Sequence, residues 1–151
     1  MIIGWATSDD LDAVERLERA GFGDRRWSRA SWAEAVASVR TEVLVARQEA
    51  VAQGVIVLSV AGDVADLDRI IVGADHRGAG VARRLLVAGS RAARKRGARR
   101  ILLEVAETNQ AALKLYRAAG FGQIGTRRDY YGPGQDALIM ECPLSEGNAD
   151  E

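Results

Sequence analysis

The sequence concentrates groups suited to an anion in the loop around residues 73–80. An apolar run precedes it, glycines stand at 73, 78 and 80, and Val81, Leu85 and Leu86 then return at helical spacing. Backbone N–H groups at the start of a helix lack intrahelical acceptors, and the helix dipole adds partial positive charge there. Gly78 and Gly80 would let a phosphate approach the backbone, and Arg77 and Arg83 add cationic charge beside it. The expectation is a ligand carrying a diphosphate. A Walker loop is excluded, because no Lys-Ser or Lys-Thr follows the glycines. The dinucleotide fingerprint fails as well: Gly78-Ala79-Gly80 is followed by Val81-Ala82-Arg83, without the third glycine. What remains is Arg-x-x-Gly-x-Ala, from Arg77 to Ala82.

Other chemistry is poorly supported. His76 has no Cys or carboxylate partner at metal-ligand spacing, so no metal is expected. Cys142 is the single cysteine, which rules out an intrachain disulfide and fits a reducing compartment. It has no base close by in sequence to make it a nucleophile. With 21 Lys and Arg against 21 Asp and Glu, bulk charge points to neither nucleic acid nor a membrane surface. No apolar run is long enough to span a bilayer, and the first residues do not read as a signal peptide. The expectation is a cytoplasmic protein, monomeric or weakly dimeric. At 151 residues, a single domain over 1–144 with a disordered polar tail over 145–151 is expected.

The elements that would position the loop can be read from periodicity. Residues 2–6 suit an edge strand, and Thr7 to Asp10 offer caps for a helix carrying Leu11, Val14, Leu17 and Glu18 and ending at Gly21. After a loop over 22–27, a second helix starts at Ser28 or Ser31. Ser31-x-x-Glu34 fits a capping box, and Trp32, Val36 and Val39 supply the apolar side. Strands over 43–46, 54–60 and 64–72, joined by turns at 49–53 and 61–63, predict an antiparallel meander. A helix over 80–96 with a basic outer face read as solvated, and a strand over 101–105, form a crossover that makes two strands parallel. Thr108 or Asn109 caps a last helix, and strands over 124–131 and 136–142 close the chain.

Several stretches together resemble one family. Arg77 to Ala82, Leu103-Glu104-Val105, Asn109-Gln110-Ala111-Ala112, Leu115-Tyr116 and Ala119-Gly120-Phe121 look like the GCN5-related N-acetyltransferases (GNAT). Trp27-Ser28, residues 127–131 and residues 136–140 are most similar to the RimI-type ribosomal-protein-alanine N-acetyltransferases. The resemblance implies an α/β (α+β) fold: a mixed, mostly antiparallel sheet, splayed in a V, with helices on both faces. It implies acetyl-CoA as co-substrate. The backbone of Ile70, Ile71 and Val72 would meet the pantetheine and acetyl group. The amides of Gly78, Ala79, Gly80, Val81, Ala82 and Arg83 would hold the pyrophosphate, and Asn109 would contact the cofactor near its thiol. Glu104 matches the general base and Tyr116 the general acid, while Trp27, Tyr130 and Tyr131 would line the acceptor groove.

The chemistry is consistent with those residue types. Acetyl transfer needs a neutral amine, a stabilised oxyanion and a proton for the departing thiolate. An α-amine, with a pKa of about 7.7–8.0 against about 10.4 for lysine, needs only a modest base such as a carboxylate acting through water. A backbone N–H at the splay, such as that of Val72, is a candidate oxyanion donor. Read in isolation, Glu104 could equally face solvent at a strand end, and Tyr116 could be a core aromatic. Three departures bear on the acceptor. Ala106 follows Leu-Glu-Val where the subfamily has arginine, Arg26 precedes Trp27 where it has proline, and Ile71 stands where alanine is common. The leading expectation is acetylation of the N-terminal alanine of a small-subunit ribosomal protein. The alternatives are a lysine or small-amine acceptor, or a coenzyme A-binding module without turnover.

Overall fold

The computed structural model describes residues 1–21, 26–78 and 80–144. Ala79, the tail over 145–151 and most of the loop over 22–27 therefore lie outside the described residues. The chain runs β1 (Ile2–Trp5), a 3-10 turn (Ser8–Asp10), α1 (Leu11–Gly21), α2 (Arg29–Ala37), β2 (Thr41–Gln48), β3 (Val51–Ala61) and β4 (Val64–Val72). A second 3-10 turn (Ala74–His76), α3 (Val81–Lys95), β5 (Arg100–Ala106), α4 (Gln110–Ala118), β6 (Gly122–Arg127) and β7 (Ala137–Pro143) follow. The strands form one seven-stranded sheet in the order β1-β2-β3-β4-β5-β7-β6. All neighbours are antiparallel except β4 and β5, which are parallel as a strand–helix–strand crossover requires.

The meander forms where expected because its turns favour it. Glu49 and Ala50 both take positive φ, as a two-residue hairpin needs to match strand twist, and Gly62 does so in the next turn. A bulge between Val57 and Leu58 leaves Asp68 as an extra residue on β4. It reverses the facing of the strand: Ala65 and Leu67 join the core beneath α3 and α4, whereas Ile71 joins the core beneath α1 and α2. On β5, Ile101, Leu103 and Val105 join the α3/α4 core, so alternation directs Leu102, Glu104 and Ala106 to the opposite face.

α3 lies close on the sheet because glycines face it. A Cβ at Gly54 would come within 2.8 Å of the Ile71 carbonyl and 3.0 Å of Leu85 Cδ1. One at Gly89 would meet Leu58 Cδ1 at 2.7 Å. The missing side chains seat the first turn of α3 against β3, beside the end of β4.

Four local expectations change. The cap of α2 is Ser28, whose side chain accepts from the Ser31 N–H, so Ser31 and Glu34 lie inside the helix rather than forming a capping box. Val39 falls beyond α2 and is exposed, because Thr41 Oγ1 takes up the Ala35 and Ser38 carbonyls and turns the chain into β2. Strand β6 ends at Arg127, which places Tyr130 and Tyr131 in a loop instead of a strand. That loop is closed by Asp129, at φ 55°, whose Oδ1 accepts from Gly134 N–H at 2.7 Å, and by Asp136, whose Oδ1 accepts from Asp129 N–H at 2.9 Å. The basic face of α3 is not wholly solvated either. Arg96 donates to the Val39 carbonyl and pairs with Glu42 Oε1 at 3.0 Å, tying the end of α3 to β2.

Candidate active site

The parallel pair is short. β4 and β5 are in register only at Val64 with Arg100, Ala65 with Ile101 and Asp66 with Leu102. Beyond Asp66 the strands part, while β4 remains paired to β3 as far as Val72. The β4 edge facing β5 therefore carries backbone groups with no strand beside them among the described residues, at a cleft of about 1110 Å³. The cleft opens on both faces of the sheet. Ala82 on α3 and Asn109, Ala112, Leu115 and Tyr116 at α4 line one side. Trp27, Asp66, Asp68, Arg69, Glu104, Arg127, Tyr130 and Tyr131 line the other.

On the α3 side, the chain leaves β4 through Gly73 and the Ala74–His76 turn and enters α3 at Gly80. Gly78 and Gly80 have φ of 82° and 80°, and a Cβ at either would meet nothing within 4 Å. The requirement visible for glycine here is the left-handed backbone, not lack of room. Gly80 provides no side-chain cap, so the first amides of α3, at Val81, Ala82 and Arg83, have no intrahelical acceptor. Arg77 and Arg83 are exposed, and Arg77 Nε donates to the Val72 carbonyl at 3.2 Å. Open space, unclaimed amides and positive charge make this end fit a diphosphate, with the β4 edge leading from it into the cleft. Of the predicted loop residues, Ala79 is outside the described set. Asn109 caps α4, its Oδ1 accepting from Ala112 N–H at 3.1 Å, and sits at the cleft wall. Ile71 faces the α1/α2 core and pairs with Val55 of β3, and at this end of the strand it is Ile70 and Val72 that line the cleft.

Glu104 and Tyr116 approach the parting of the strands from opposite faces. Glu104 projects from β5, and its Oε1 stands 3.0 Å from Arg127 Nε. Its Oε2 is buried with no hydrogen-bond partner among the described residues. Tyr116 is 8% exposed on α4, packed against Phe121 at 5.7 Å between ring centroids. Burial, and secondarily the nearby Tyr131, push its hydroxyl up to about 12, so it stays protonated and able to donate. Asp66 and Asp68 are also raised, each first by burial; Glu104 adds to the effect at Asp66, and Asp66 adds to it at Asp68 against a hydrogen bond from Ser59. Tyr130 and Tyr131 meet edge to face at 5.0 Å, and the Arg127 guanidinium lies 5.8 Å from the Tyr130 ring. The arrangement can accept a proton on one face of the sheet and donate one on the other.

Sequence reasoning missed Glu18, Arg69, Arg127, Asp66 and Asp68. A visible signal existed for two of them: an arginine inside the apolar run of β4, and a glutamate on the apolar side of α1. The Cys142 thiol donates weakly to the Ala119 carbonyl at 3.7 Å and is pushed up by burial and by Glu141, the behaviour of a packed neutral thiol. No group of His, Cys, Asp or Glu suited to a metal occurs among the described residues.

Comparison with known proteins agrees with this geometry. The model of the acetyltransferase (GNAT) family matches residues 6–121. The chain is 34% identical over 151 residues to an uncharacterized protein of Mycobacterium leprae, covering 93% of this chain but spanning only 40% of that protein's length. It is 35% identical over 144 residues to the N-alpha-acetyltransferase RimI of Mycobacterium tuberculosis, covering 91% of this chain and 89% of that one. The crystal structure of the ribosomal-protein-S18-alanine N-acetyltransferase from Escherichia coli superposes with a TM-score of 0.86 at 29% identity, over 97% of both chains. The chain thus belongs to the acetyltransferase (GNAT) family, as an N-acetyltransferase that uses acetyl-CoA.

Proposed function

We propose that the protein acetylates a protein N-terminal α-amine, and that its acceptor is the N-terminal alanine of a small-subunit ribosomal protein. The observation that carries this reading is the placement of Glu104 and Tyr116 on opposite faces of the sheet, at the point where β4 and β5 part. The amides of Gly78, Gly80, Val81, Ala82 and Arg83, with Ala79 between them, would hold the diphosphate of acetyl-CoA. The free edge of β4 at Ile70 and Val72 would align its pantetheine as an added strand, with Asn109 near the sulfur. Arg77 would supply charge beside the diphosphate while bracing the end of β4.

Each step then has a group on this chain. Glu104, directly or through a water at its Oε2, takes the proton of the α-ammonium and leaves a neutral amine. A backbone N–H of the β4 edge, Val72 being the candidate, donates to the oxyanion as the amine adds to the carbonyl. The new C–N bond forms and the C–S bond breaks as the Tyr116 hydroxyl delivers its proton to the thiolate; the second proton of the nitrogen, shed as the amide forms, returns to Tyr116 through solvent. Asp66 and Asp68 make this face electronegative, which favours approach of a cationic amine. Trp27, Tyr130 and Tyr131 flank it with aromatic surfaces suited to an extended peptide. Support for the alanine acceptor comes from the two relatives named for N-alpha- or ribosomal-protein-alanine acetylation. A cytoplasmic location, a single domain and a monomer or weak dimer belong to the same reading.

A panel of Ala-initiated peptides, incubated with acetyl-CoA while free thiol and peptide mass are followed, tests it. Acetylation at the α-amine is expected. Turnover confined to lysine side chains or small amines would replace the acceptor, and cofactor binding without thiol release for any amine would replace the enzyme reading.

A further inference from the structure

Groups distant in sequence converge beneath one rim of the cleft. Glu18 on α1 is 1% exposed. Its Oε1 accepts from the Trp27 backbone N–H at 2.9 Å and from Trp32 Nε1 at 3.1 Å, and it lies 3.2 Å from Arg69 Nε. The Arg69 guanidinium carbon sits 4.6 Å from the centroid of the Trp27 ring. Trp27 also packs on Trp32, with centroids 4.9 Å apart and planes inclined by 55°. A single carboxylate oxygen thus gathers the segment before α2, α2 itself and β4. Trp32 is fully buried, whereas Trp27 is half-buried and reaches the cleft.

Packing alone does not account for this arrangement. A buried ion pair gains little over apolar side chains of the same volume; what it supplies is a defined geometry. The bulge at Asp68 is what makes the geometry reachable, since it directs the following part of β4 toward α1 and α2. The planar guanidinium can pair with the carboxylate and stack on the indole together, whereas a lysine ammonium is a point charge with no plane to stack. Position is thereby passed from the strand that lines the cleft to the aromatic ring at its rim.

We propose that Arg69, fixed by Glu18, is a positioning residue for the acceptor: it holds the Trp27 indole as a rigid wall of the groove that the amine-bearing peptide enters. The wall cannot recede, so it favours an acceptor whose first side chain is small. This rests on the reading that a peptide N-terminus enters from the α1/α2 face.

The test compares Arg69→Met, which keeps an apolar stem and deletes the guanidinium, with Trp27→Leu, which removes the ring and leaves the Glu18–Arg69 pair and the backbone N–H in place. Values of kcat and KM are measured for acetyl-CoA and for peptides beginning with Ala or Leu. Each variant is expected to raise the KM for the Ala-peptide about tenfold, the scale of one lost stacking contact, and to narrow the preference for Ala over Leu by a similar factor. The KM for acetyl-CoA is expected to stay within about twofold of wild type, a change too small to register as a lost contact. Unchanged peptide KM with a lowered melting temperature would make the cluster purely structural and overturn the proposal. A raised KM for acetyl-CoA would assign it to the other side of the cleft, with the same consequence. If Arg69→Met does not fold, Arg69→Lys, which keeps a charge beside Glu18 without the planar guanidinium, is measured in its place. Wild-type turnover of the Ala-peptide tests the acceptor reading separately. If only a lysine-bearing peptide is turned over, that reading fails, and the variant-to-wild-type ratio on that peptide still decides the clamp.

Discussion

Glu104 already carries a cation: Arg127 Nε stands 3.0 Å from one oxygen, and the other oxygen is buried. A carboxylate so placed is anchored on one side and holds an oxygen without a hydrogen-bond partner among the described residues on the other. Glu104→Gln keeps the shape and removes the base, so kcat should fall by about 10²–10³-fold, within the range of a lost general base. Acetyl-CoA affinity, measured by calorimetry, should not change, because Glu104 lies on the face away from the loop. Tyr116 makes a separate prediction through pH. Its hydroxyl is raised from the ordinary 10.0 to about 12 in the folded protein, so folding favours the protonated form. The stabilisation is complete below pH ~10 and is lost as pH rises toward about 12, with a size on the order of 3 kcal/mol. Thermal melts across that window should show the loss in wild type and a smaller one in Tyr116→Phe. The same variant should lower kcat at neutral pH, by the thiol-release assay.

At the scale of elements, the seat of α3 depends on glycines in two unlike settings. At Gly54 the obstacle to a Cβ is the Ile71 carbonyl, a backbone atom of a paired strand, at 2.8 Å. At Gly89 it is Leu58 Cδ1, the end of a side chain. Gly54→Ala should therefore cost about 1–3 kcal/mol and shift the start of α3, weakening acetyl-CoA binding as well as stability. Gly89→Ala should cost less and leave cofactor affinity alone; chemical denaturation and calorimetry separate the two. The same scale shows what could be read from sequence. The β2–β4 meander was legible because its alternation and turns are local, and the α3 loop because its glycines and helix start are contiguous. Tyr130 and Tyr131 were misread as strand because aromatic residues favour strands, while the hydrogen bonds of Asp129 and Asp136 that close the loop override that preference. The capping box at Ser31 failed for a related reason: Ser28 lies one turn earlier and takes the cap first.

Across the whole molecule, the sheet separates two approaches, with the glycine loop over 73–80, α3 and α4 on one face and the aromatic and acidic groove on the other. The direct transfer proposed at the parting of β4 and β5 requires both substrates at once. Initial-rate plots should accordingly intersect, as for a ternary complex, rather than run parallel as for a covalent enzyme intermediate. Glu104 and Tyr116 could be picked out by resemblance, but their convergence could not be derived from periodicity, which does not say how far two parallel strands stay paired. Glu18 and Arg69 were less legible still, since a buried pair joins partners with no local relation, and only the bulge at Asp68 turns one toward the other. The central claim is that the Glu104 face receives a protein N-terminus. The most direct test is fragment mass spectrometry of an Ala-initiated peptide with an internal lysine, after incubation with acetyl-CoA and either wild type or Glu104→Gln. The account predicts acetyl on the α-amine with wild type and nearly none with the variant, although the variant still binds acetyl-CoA. Acetyl on the lysine alone, or on the α-amine at equal rates with both proteins, would contradict it.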